Sequence, residues 1–243
     1  MNKRLYFDIE TSPCTGWFWR PGYNLNLDYN NIIENAKIIC ICYKLAGKDR
    51  IYHLTWDAKK NDKQMLKDFI KVLNSADEIV GHNSDKFDIK WIRTRCLFHG
   101  ISMMPDYTSI DTLKLARSGF NFPTNRLDSI GRYTKVGKKI KTTGELWYDV
   151  VFKNNKRALS DMVRYCKQDV TLLEDVHKVI EPYTKPKTRI TEHVDECARC
   201  GSDSLQVKSY KISAAGDKKV QLQCQSCGCY QTISRAKWEK SKK

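Results

Sequence analysis

The sequence lacks long hydrophobic runs. No apolar stretch in its 243 residues approaches the roughly 20 residues that a helix needs to cross a bilayer. The N-terminal segment meets Asp8 before a signal-like apolar stretch develops, and we find no lipidation motif, internal repeat or low-complexity tract. We therefore expect a cytoplasmic protein that does not act at a membrane.

Acidic residues are also fewer than basic residues. The chain has 28 Asp and Glu against 43 Lys and Arg, which gives a formal net charge of +15. A membrane surface, an acidic protein and a nucleic acid would each attract such a surplus. The basic residues do not form one amphipathic helix, so a membrane fits least well. A polyanionic partner is the expectation that follows.

The patterning predicts an α/β protein with two domains. Hydrophobic residues make up 41% of the chain, enough for a sizeable core. Strands come first and then alternate with helices, which favours layers around a mixed sheet. A loop is expected at 11–32, a hairpin at 37–56, a strand at 78–81, and helices at 62–74, 86–98, 109–117, 126–134 and 158–180. Two further strands are expected at 205–212 and 218–224. We divide the chain into a domain at 1–184, a linker at 185–194 and a small domain at 195–243.

The first predicted strand, RLYFDIET at 4–11, carries two carboxylates two residues apart. Side chains alternate along a strand, so Asp8 and Glu10 point the same way. Like charges side by side in an apolar setting repel each other and lose hydration. Either this strand end is exposed to solvent, or a cation neutralises the pair.

Two further clusters contain acids that a cation site would need. Asp88, in GHNSDKFD, follows a predicted strand and opens a predicted helix, where an acid also serves as an ordinary cap. Tyr165 and Asp169, in YCKQD, lie four residues apart within a helix and share one face. Each of these patterns alone occurs often by chance.

Together, the three patterns resemble the exonuclease motifs of the DEDD superfamily in its tyrosine branch. D-x-E, N-x-x-x-F-D and Y-x-x-x-D occur here in that order. The middle motif is similar to that of family B DNA polymerase proofreading domains. FDIETSP, DTLKLAR and the helix ALSDMVRYCKQDVTLLE resemble stand-alone exonucleases of tailed phages, which suggests a bacterial or phage-infected host cell. The resemblance covers about residues 1–182.

The resemblance implies an RNase H-like three-layer fold with a central mixed sheet and 3′-to-5′ hydrolysis of nucleic acid with two Mg²⁺ or Mn²⁺ ions. Asp8, Glu10 and Asp169 would hold the first ion, while Asp8 and Asp88 would contact the second. Tyr165 would position the attacking water together with Glu10. The histidine branch has a histidine where this chain has Arg164. Oxygen ligands without His or Cys also favour Mg²⁺ or Mn²⁺ on chemical grounds.

Substrate contacts are expected outside the acids. Aromatic and basic residues mingle in GFNFPTNR and KVGKKIKTTG, as in proteins that bind single strands, although the lysines are equally typical of a solvated face. Trp17 and its neighbours at 16–20 would stack a base or pack under a loop. The predicted nucleic-acid contacts are Thr11, Asn83, Lys138, Lys139 and Lys141.

The ten cysteines divide into two groups. Cys14, Cys40, Cys42, Cys96 and Cys166 are scattered, as buried free thiols usually are. CARCG and CQSCG, in the last fifty residues, are two C-x-x-C-G knuckles that resemble a β-rich zinc ribbon. Cys197, Cys200, Cys224 and Cys227 are predicted to bind one structural Zn²⁺. Cys229 is a spare, either a neighbouring thiol or a substitute ligand.

We therefore predict a 3′-to-5′ exonuclease acting on single-stranded or frayed DNA. The alternatives are a catalytically weak nucleic-acid-binding module, a proofreading subunit that works with a separate polymerase or other replication protein, and an RNA exonuclease. All four acids and the tyrosine are present, which argues against loss of activity. The basic zinc ribbon would contact nucleic acid or dock a protein partner.

Overall fold

A five-stranded mixed sheet forms the centre of the larger domain. The computed structural model describes residues 3–20, 28–103 and 107–242. The strands of this sheet lie in the order β5-β4-β1-β6-β7. They are β1 (Arg4–Thr11), β4 (Ile38–Leu45), β5 (Tyr52–Thr55), β6 (Glu78–Gly81) and β7 (Thr108–Asp111). β1 pairs antiparallel with β4 and parallel with β6, so the predicted mixed sheet is confirmed.

Helices cover both faces of this sheet and complete the predicted three layers. Helices α1 (Lys63–Asn74) and α2 (Asp88–His99) pack on one face. The other face carries α3 (Thr112–Gly119), α4 (Leu127–Tyr133), α5 (Gly144–Val151) and α6 (Lys156–Ile180). The long helix α6 contacts both β1 and β4. Two separate apolar cores result, one on each side of the sheet.

The side chains of β1 alternate between these two cores. Leu5, Phe7 and Ile9 pack against α1 and α2, whereas Tyr6 belongs to the core under α6. The period of two along a strand therefore directs Asp8 and Glu10 to the α6 side. Burial of the apolar set on the opposite face fixes this register, because a slip of one residue would exchange the two faces.

The segment after β1, predicted as a loop over 11–32, contains a small hairpin. Its strands are β2 (Thr15–Gly16) and β3 (Ile32–Glu34), and a short 3₁₀ turn spans Tyr29–Asn31. Residues 21–27 of the predicted loop lie outside the described residues.

Two helix predictions need correction. Residues 109–111 begin the predicted helix 109–117, but they form part of β7, because Ile110 and Asp111 pair in parallel with β6. The helix starts only at Thr112, where the Asp111 carboxylate caps it by accepting from the Leu113 amide at 2.9 Å. The second correction concerns helix α2, which begins at Asp88, two residues after the predicted start. Helix α5 lies outside every predicted helix.

The C-terminal region forms its own three-stranded sheet in the order β10-β9-β8. The strands β8 (Leu205–Ile212) and β9 (Lys218–Cys224) coincide with the predicted pair. Strand β10 (Tyr230–Ser234) and helix α7 (Arg235–Ser241) were not foreseen. Val220, Leu222 and Trp238 form a small apolar core beside the cysteine cluster.

The ribbon rests on the end of α6. The Arg199 guanidinium donates to the carbonyl of Glu181 at 2.7 Å and to that of Pro182 at 3.1 Å, and it also contacts the Thr184 carbonyl. Within the predicted linker, Lys187 donates to the Ser109 carbonyl at 2.5 Å. The division into two domains stays a prediction, but the segment between them makes specific contacts. Within the described ranges, we find no helix that is both long and apolar enough to cross a membrane.

One buried histidine couples the fold to pH. His177 on α6 has no exposed surface, and its Nδ1 lies 3.0 Å from the Tyr6 hydroxyl. Burial disfavours the charged imidazole and lowers its pKa to about 4. The unfolded chain takes up this proton below about pH 6.5, whereas the folded chain does so only near pH 4. His177 therefore opposes folding increasingly as the pH falls through that window.

We expect His177→Gln to flatten the pH dependence of stability. Relative to the variant, the wild type should lose up to about 3 kcal/mol of unfolding free energy between pH 6.5 and pH 4. Urea denaturation at several pH values measures this difference. His53→Gln, at an exposed position of β5, is the matched control and should keep the wild-type slope. Parallel curves for wild type and His177→Gln would contradict the prediction.

Candidate active site

Asp8 and Glu10 lie together on the α6 side of β1. Their carboxylate oxygens and the Cys166 Sγ of α6 all lie within 4.8 Å of one another. Both acids are half-buried, so neither is fully solvated at an exposed strand end. In the antiparallel register, Asp8 is opposite Cys42 and Glu10 is opposite Cys40. The strand therefore holds the carboxyl groups of Asp8 and Glu10 close together, as its sequence predicts.

Asp88 lies at the first turn of α2 and contacts β1 directly. Its side chain is 4% exposed, and its Oδ1 accepts from the Ile9 amide at 3.3 Å. The first helix turn favours a negative charge there. The predicted position at a helix start is thus correct, and the hydrogen bond fixes Asp88 beside the Asp8–Glu10 strand.

Asp111 holds the loop that leads to Asp88. Its Oδ1 accepts from the amide of Asn83 at 2.9 Å, and its Oδ2 accepts from the amide of Asp85 at 3.4 Å. Asn83 adopts a left-handed backbone conformation with a φ of 64°. Sequence reasoning missed this role of Asp111. An acid between a short apolar run and a helical pattern was the available signal.

Asp169 is paired with a lysine. The carboxylate is 1% exposed, and its Oδ2 accepts from the Lys139 Nζ at 2.5 Å. The same ammonium lies 3.4 Å from the Tyr165 hydroxyl. Lys139 belongs to the predicted nucleic-acid-binding run, so the fold brings a residue expected to contact substrate into the acidic centre.

The acids strongly affect one another's protonation. Burial, and then the charges of Asp88, Glu10 and Asp169, raise the pKa of Asp8. Burial and the Asp169 charge raise the pKa of Glu10 to about 8, and burial raises that of Asp88 to about 7. Burial alone would lower the pKa of Lys139, but the neighbouring Asp169 carboxylate raises it above its ordinary value. One ammonium therefore offsets only part of the negative charge.

The donor set fits divalent cations that prefer oxygen. Among the described residues, the Asp169 Oδ1 is a buried oxygen without a hydrogen-bond partner. Carboxylate oxygens are the ligands that Mg²⁺ and Mn²⁺ prefer. A cation here would satisfy the orphaned oxygen and neutralise the clustered charge. The individual ligand assignments remain predictions.

Two clefts flank the acidic centre. One, of about 630 Å³, is lined by Asn83, Arg117, Arg126 and Lys139, among others. The other, of about 300 Å³, is lined by Lys141, Arg164 and Tyr165, among others. Lys139, which lines the first cleft, contacts Tyr165, which lines the second. Arg126 belongs to the predicted run GFNFPTNR, whereas sequence reasoning missed Arg117, because nothing local marks it as a neighbour of Asn83.

The remaining predicted contacts are placed less centrally. Thr11 ends β1, where the pairing with β4 shifts register after Glu10. Lys138 is exposed on the loop before α5. Trp17 and Trp19 form an exposed edge-to-face pair with ring centroids 5.6 Å apart, and Trp19 is 91% exposed. Within the described ranges, both indole rings are exposed.

The four ribbon cysteines converge as their spacing predicts. Sγ atoms of Cys197, Cys200, Cys224 and Cys227 all lie within 4.8 Å of one another. In each knuckle, the glycine amide donates back to the carbonyl of the first cysteine, at 2.9 Å from Gly201 and 3.0 Å from Gly228. These glycines have φ values of 76° and 72°, which glycine adopts without strain. Four thiols in this arrangement could hold a zinc ion.

A mixed sheet covered by helices on both faces, with acids along its central strand, defines an RNase H-like α/β domain. The chain belongs to the RNase_H superfamily, whose family model matches residues 33–181, more than half of the sequence. The match begins after β1 and so does not include Asp8 or Glu10. The predicted RNase H-like fold is confirmed.

Among solved structures, the family B DNA polymerase from the hyperthermophilic archaeon Pyrobaculum calidifontis is similar to this chain. The likeness covers 75% of this chain with a TM-score of 0.57 and 18% sequence identity. It spans only 25% of the polymerase chain. At this identity, the likeness is one of fold. No curated protein matches the sequence.

We predict that Asp8→Asn stabilises the metal-free protein, because it removes one charge from a half-buried repulsive cluster. The midpoint of thermal unfolding should rise by a few degrees in chelator. Added Mn²⁺ should raise the wild-type midpoint and leave that of Asp8→Asn nearly unchanged. Asp161→Asn, which removes a more exposed acid of α6, is the control and should respond to Mn²⁺ like the wild type. An equal Mn²⁺ response in Asp8→Asn would contradict the metal assignment.

The ribbon should contain one zinc per chain. Cys227→Ala should remove that zinc and lower the thermal stability of the ribbon, because three thiolates hold the ion less tightly than four. Cys229→Ala is the matched control, since Cys229 is buried beside the four-thiol cluster but does not belong to it. Metal analysis of the three purified proteins measures the difference. Zinc retained in Cys227→Ala and lost in Cys229→Ala would show that the ligands are misassigned.

Proposed function

We propose that this protein is a metal-dependent 3′-to-5′ exonuclease that hydrolyses single-stranded or frayed DNA. The observation that carries the proposal is the cluster of Asp8, Glu10, Asp88 and Asp169, whose mutual repulsion is only partly offset by Lys139. A bound cation would relieve the repulsion that Lys139 leaves. Similarity of fold to part of a family B DNA polymerase supports DNA as the substrate.

The acids would hold two divalent cations. Asp8, Glu10 and Asp169 are assigned to the first and Asp8 with Asp88 to the second. When bound, two such ions stabilise the negative charge on the attacking and leaving oxygens of phosphodiester hydrolysis. The hydrogen bond from the Ile9 amide fixes the position of the Asp88 carboxylate. Among the described residues, the buried Oδ1 of Asp169 has no hydrogen-bond partner and would be available to coordinate a cation.

The residues around the acids would bind and orient the substrate. Arg117 and Arg126 provide positive charge along the larger cleft, and Lys141 and Arg164 provide it along the smaller one. Phosphates would be attracted along both. In the larger cleft, the Lys139 ammonium would turn from Asp169 to the phosphate once the acids are neutralised. The exposed pair of Trp17 and Trp19 offers a surface on which bases would stack.

Tyr165 would position the attacking water with Glu10. Burial and the Asp169 charge raise the pKa of Tyr165 to about 12. The phenol therefore keeps its proton at neutral pH and acts as a hydrogen-bond donor. It orients water in the cleft without accepting the water's proton.

We expect purified full-length protein with Mg²⁺ or Mn²⁺ to shorten a 5′-labelled single strand progressively from its 3′ end. Asp169→Asn should reduce the rate by more than the roughly 10²–10³-fold that loss of one hydrogen-bond donor costs, because a charged ligand is removed. The control Asp68→Asn, which removes a more exposed acid of α1 on the opposite face of the sheet, should retain wild-type activity. Parallel RNA substrates test the choice of DNA.

A ladder that shortens from the 5′ end would contradict the proposed polarity. Cleavage of a circular single strand would contradict the exonuclease assignment, because a circle offers no end. Wild-type activity in Asp169→Asn would refute the catalytic site itself.

A further inference from the structure

Three buried cysteines lie directly behind the acidic centre. Cys40 and Cys42 come from β4 and Cys166 comes from α6. Their Sγ atoms all lie within 4.8 Å of one another, and none of the three residues has exposed surface. We call these three residues the thiol triad. The small side chains of these cysteines let α6 pack close to the sheet. Alanine would allow the same close packing but would not bring three sulfur atoms together.

The spacing of the thiol triad is close to that of a metal site. In the ribbon, the Sγ atoms of Cys197 and Cys227 lie 3.6 Å apart, as do those of Cys200 and Cys224. A zinc ion with bonds of about 2.3 Å to sulfur separates its thiolates by about 3.8–4.0 Å. Sulfur atoms within 4.8 Å reach this separation through side-chain shifts of an ångström or less. The triad therefore needs little rearrangement to enclose a cation.

Cys166 links the thiol triad to the acids. Its Sγ lies 3.5 Å from the Asp8 Oδ2, and it also belongs to the group formed with Asp8 and Glu10. Strand pairing places Cys42 opposite Asp8 and Cys40 opposite Glu10. Asp8 therefore lies beside Cys166 and across the strand pair from Cys42, where a side-chain shift would bring its carboxylate to the ion as a fourth ligand.

We propose that Cys40, Cys42 and Cys166, with Asp8 as the fourth ligand, form a second metal site for a thiophilic d¹⁰ cation such as Zn²⁺ or Cd²⁺. Soft thiolates select such ions over Mg²⁺ and Mn²⁺. Binding releases the three thiol protons to solvent and involves no oxidation or reduction. Occupancy withdraws Asp8 from the oxygen site and so weakens the binding of hard cations there. This last consequence rests on the proposed function.

Cadmium titration of the full chain, loaded with its ribbon zinc, tests the site. Charge-transfer absorption from thiolate to Cd²⁺ reports sulfur ligation, and metal analysis of released zinc corrects for exchange in the ribbon. We expect one further Cd²⁺ per chain. Cys40→Ala should lose this ion. The control Cys96→Ala, which removes a buried thiol on the opposite face of the sheet, should keep it.

The proposal is overturned if Cd²⁺ uptake never exceeds zinc release, or if the further ion persists in Cys40→Ala. Thermal unfolding in chelator checks that the variants fold. Cys42→Ala provides the same test should Cys40→Ala fail to fold.

Competition between the sites is measured without nucleic acid. We expect one equivalent of Cd²⁺ to weaken Mn²⁺ binding by at least about tenfold in the wild type and to have no such effect in Cys40→Ala. Electron paramagnetic resonance of free Mn²⁺ measures the binding. Unchanged Mn²⁺ affinity in the cadmium-loaded wild type would overturn the sharing of Asp8. Absence of Mn²⁺ binding in the cadmium-free protein would instead count against the proposed nuclease site. The cadmium titration alone would then test the sulfur site.

Discussion

Repulsion among four carboxylates is the constraint on which the acidic centre depends. Asp8 and Glu10 are fixed side by side on β1, and the charges of Asp88 and Asp169 act on them in a half-buried environment. Lys139 is the ammonium that contacts Asp169, and it cannot neutralise the whole group. The surrounding packing must therefore stabilise a centre that is unfavourable by itself, and a bound cation would relieve that strain.

The packing that holds the acids comes from the two apolar cores. Burial of Leu5, Phe7 and Ile9 against α1 and α2 fixes which side of β1 carries the carboxylates. Helix α6 then brings Asp169 over the same side, because its apolar face packs on β1 and β4. Interactions outside the acidic centre therefore position the acids. The repulsion among the carboxylates does not determine the fold.

Local patterns predicted most of the fold and the positions of the acids. Strand alternation placed Asp8 and Glu10 on one face, and the end of a strand pattern placed Asp88 at a helix start. Residues 109–111 were misread because a short strand running into a helix leaves no break in a helical pattern. The pairing of Lys139 with Asp169 could not be foreseen, since it depends on how a loop without periodicity folds over α6. The thiol triad escaped prediction for a related reason, because it joins residues more than a hundred positions apart in sequence.

Calorimetric titration with Mn²⁺ measures whether the acidic centre binds hard divalent cations. Full-length protein with its ribbon zinc in place should bind two Mn²⁺ per chain, and Asp8→Asn should lose both, because Asp8 is assigned to each ion. Binding of no Mn²⁺ by the wild type, or two ions retained by Asp8→Asn, would show that these acids are not the cation ligands.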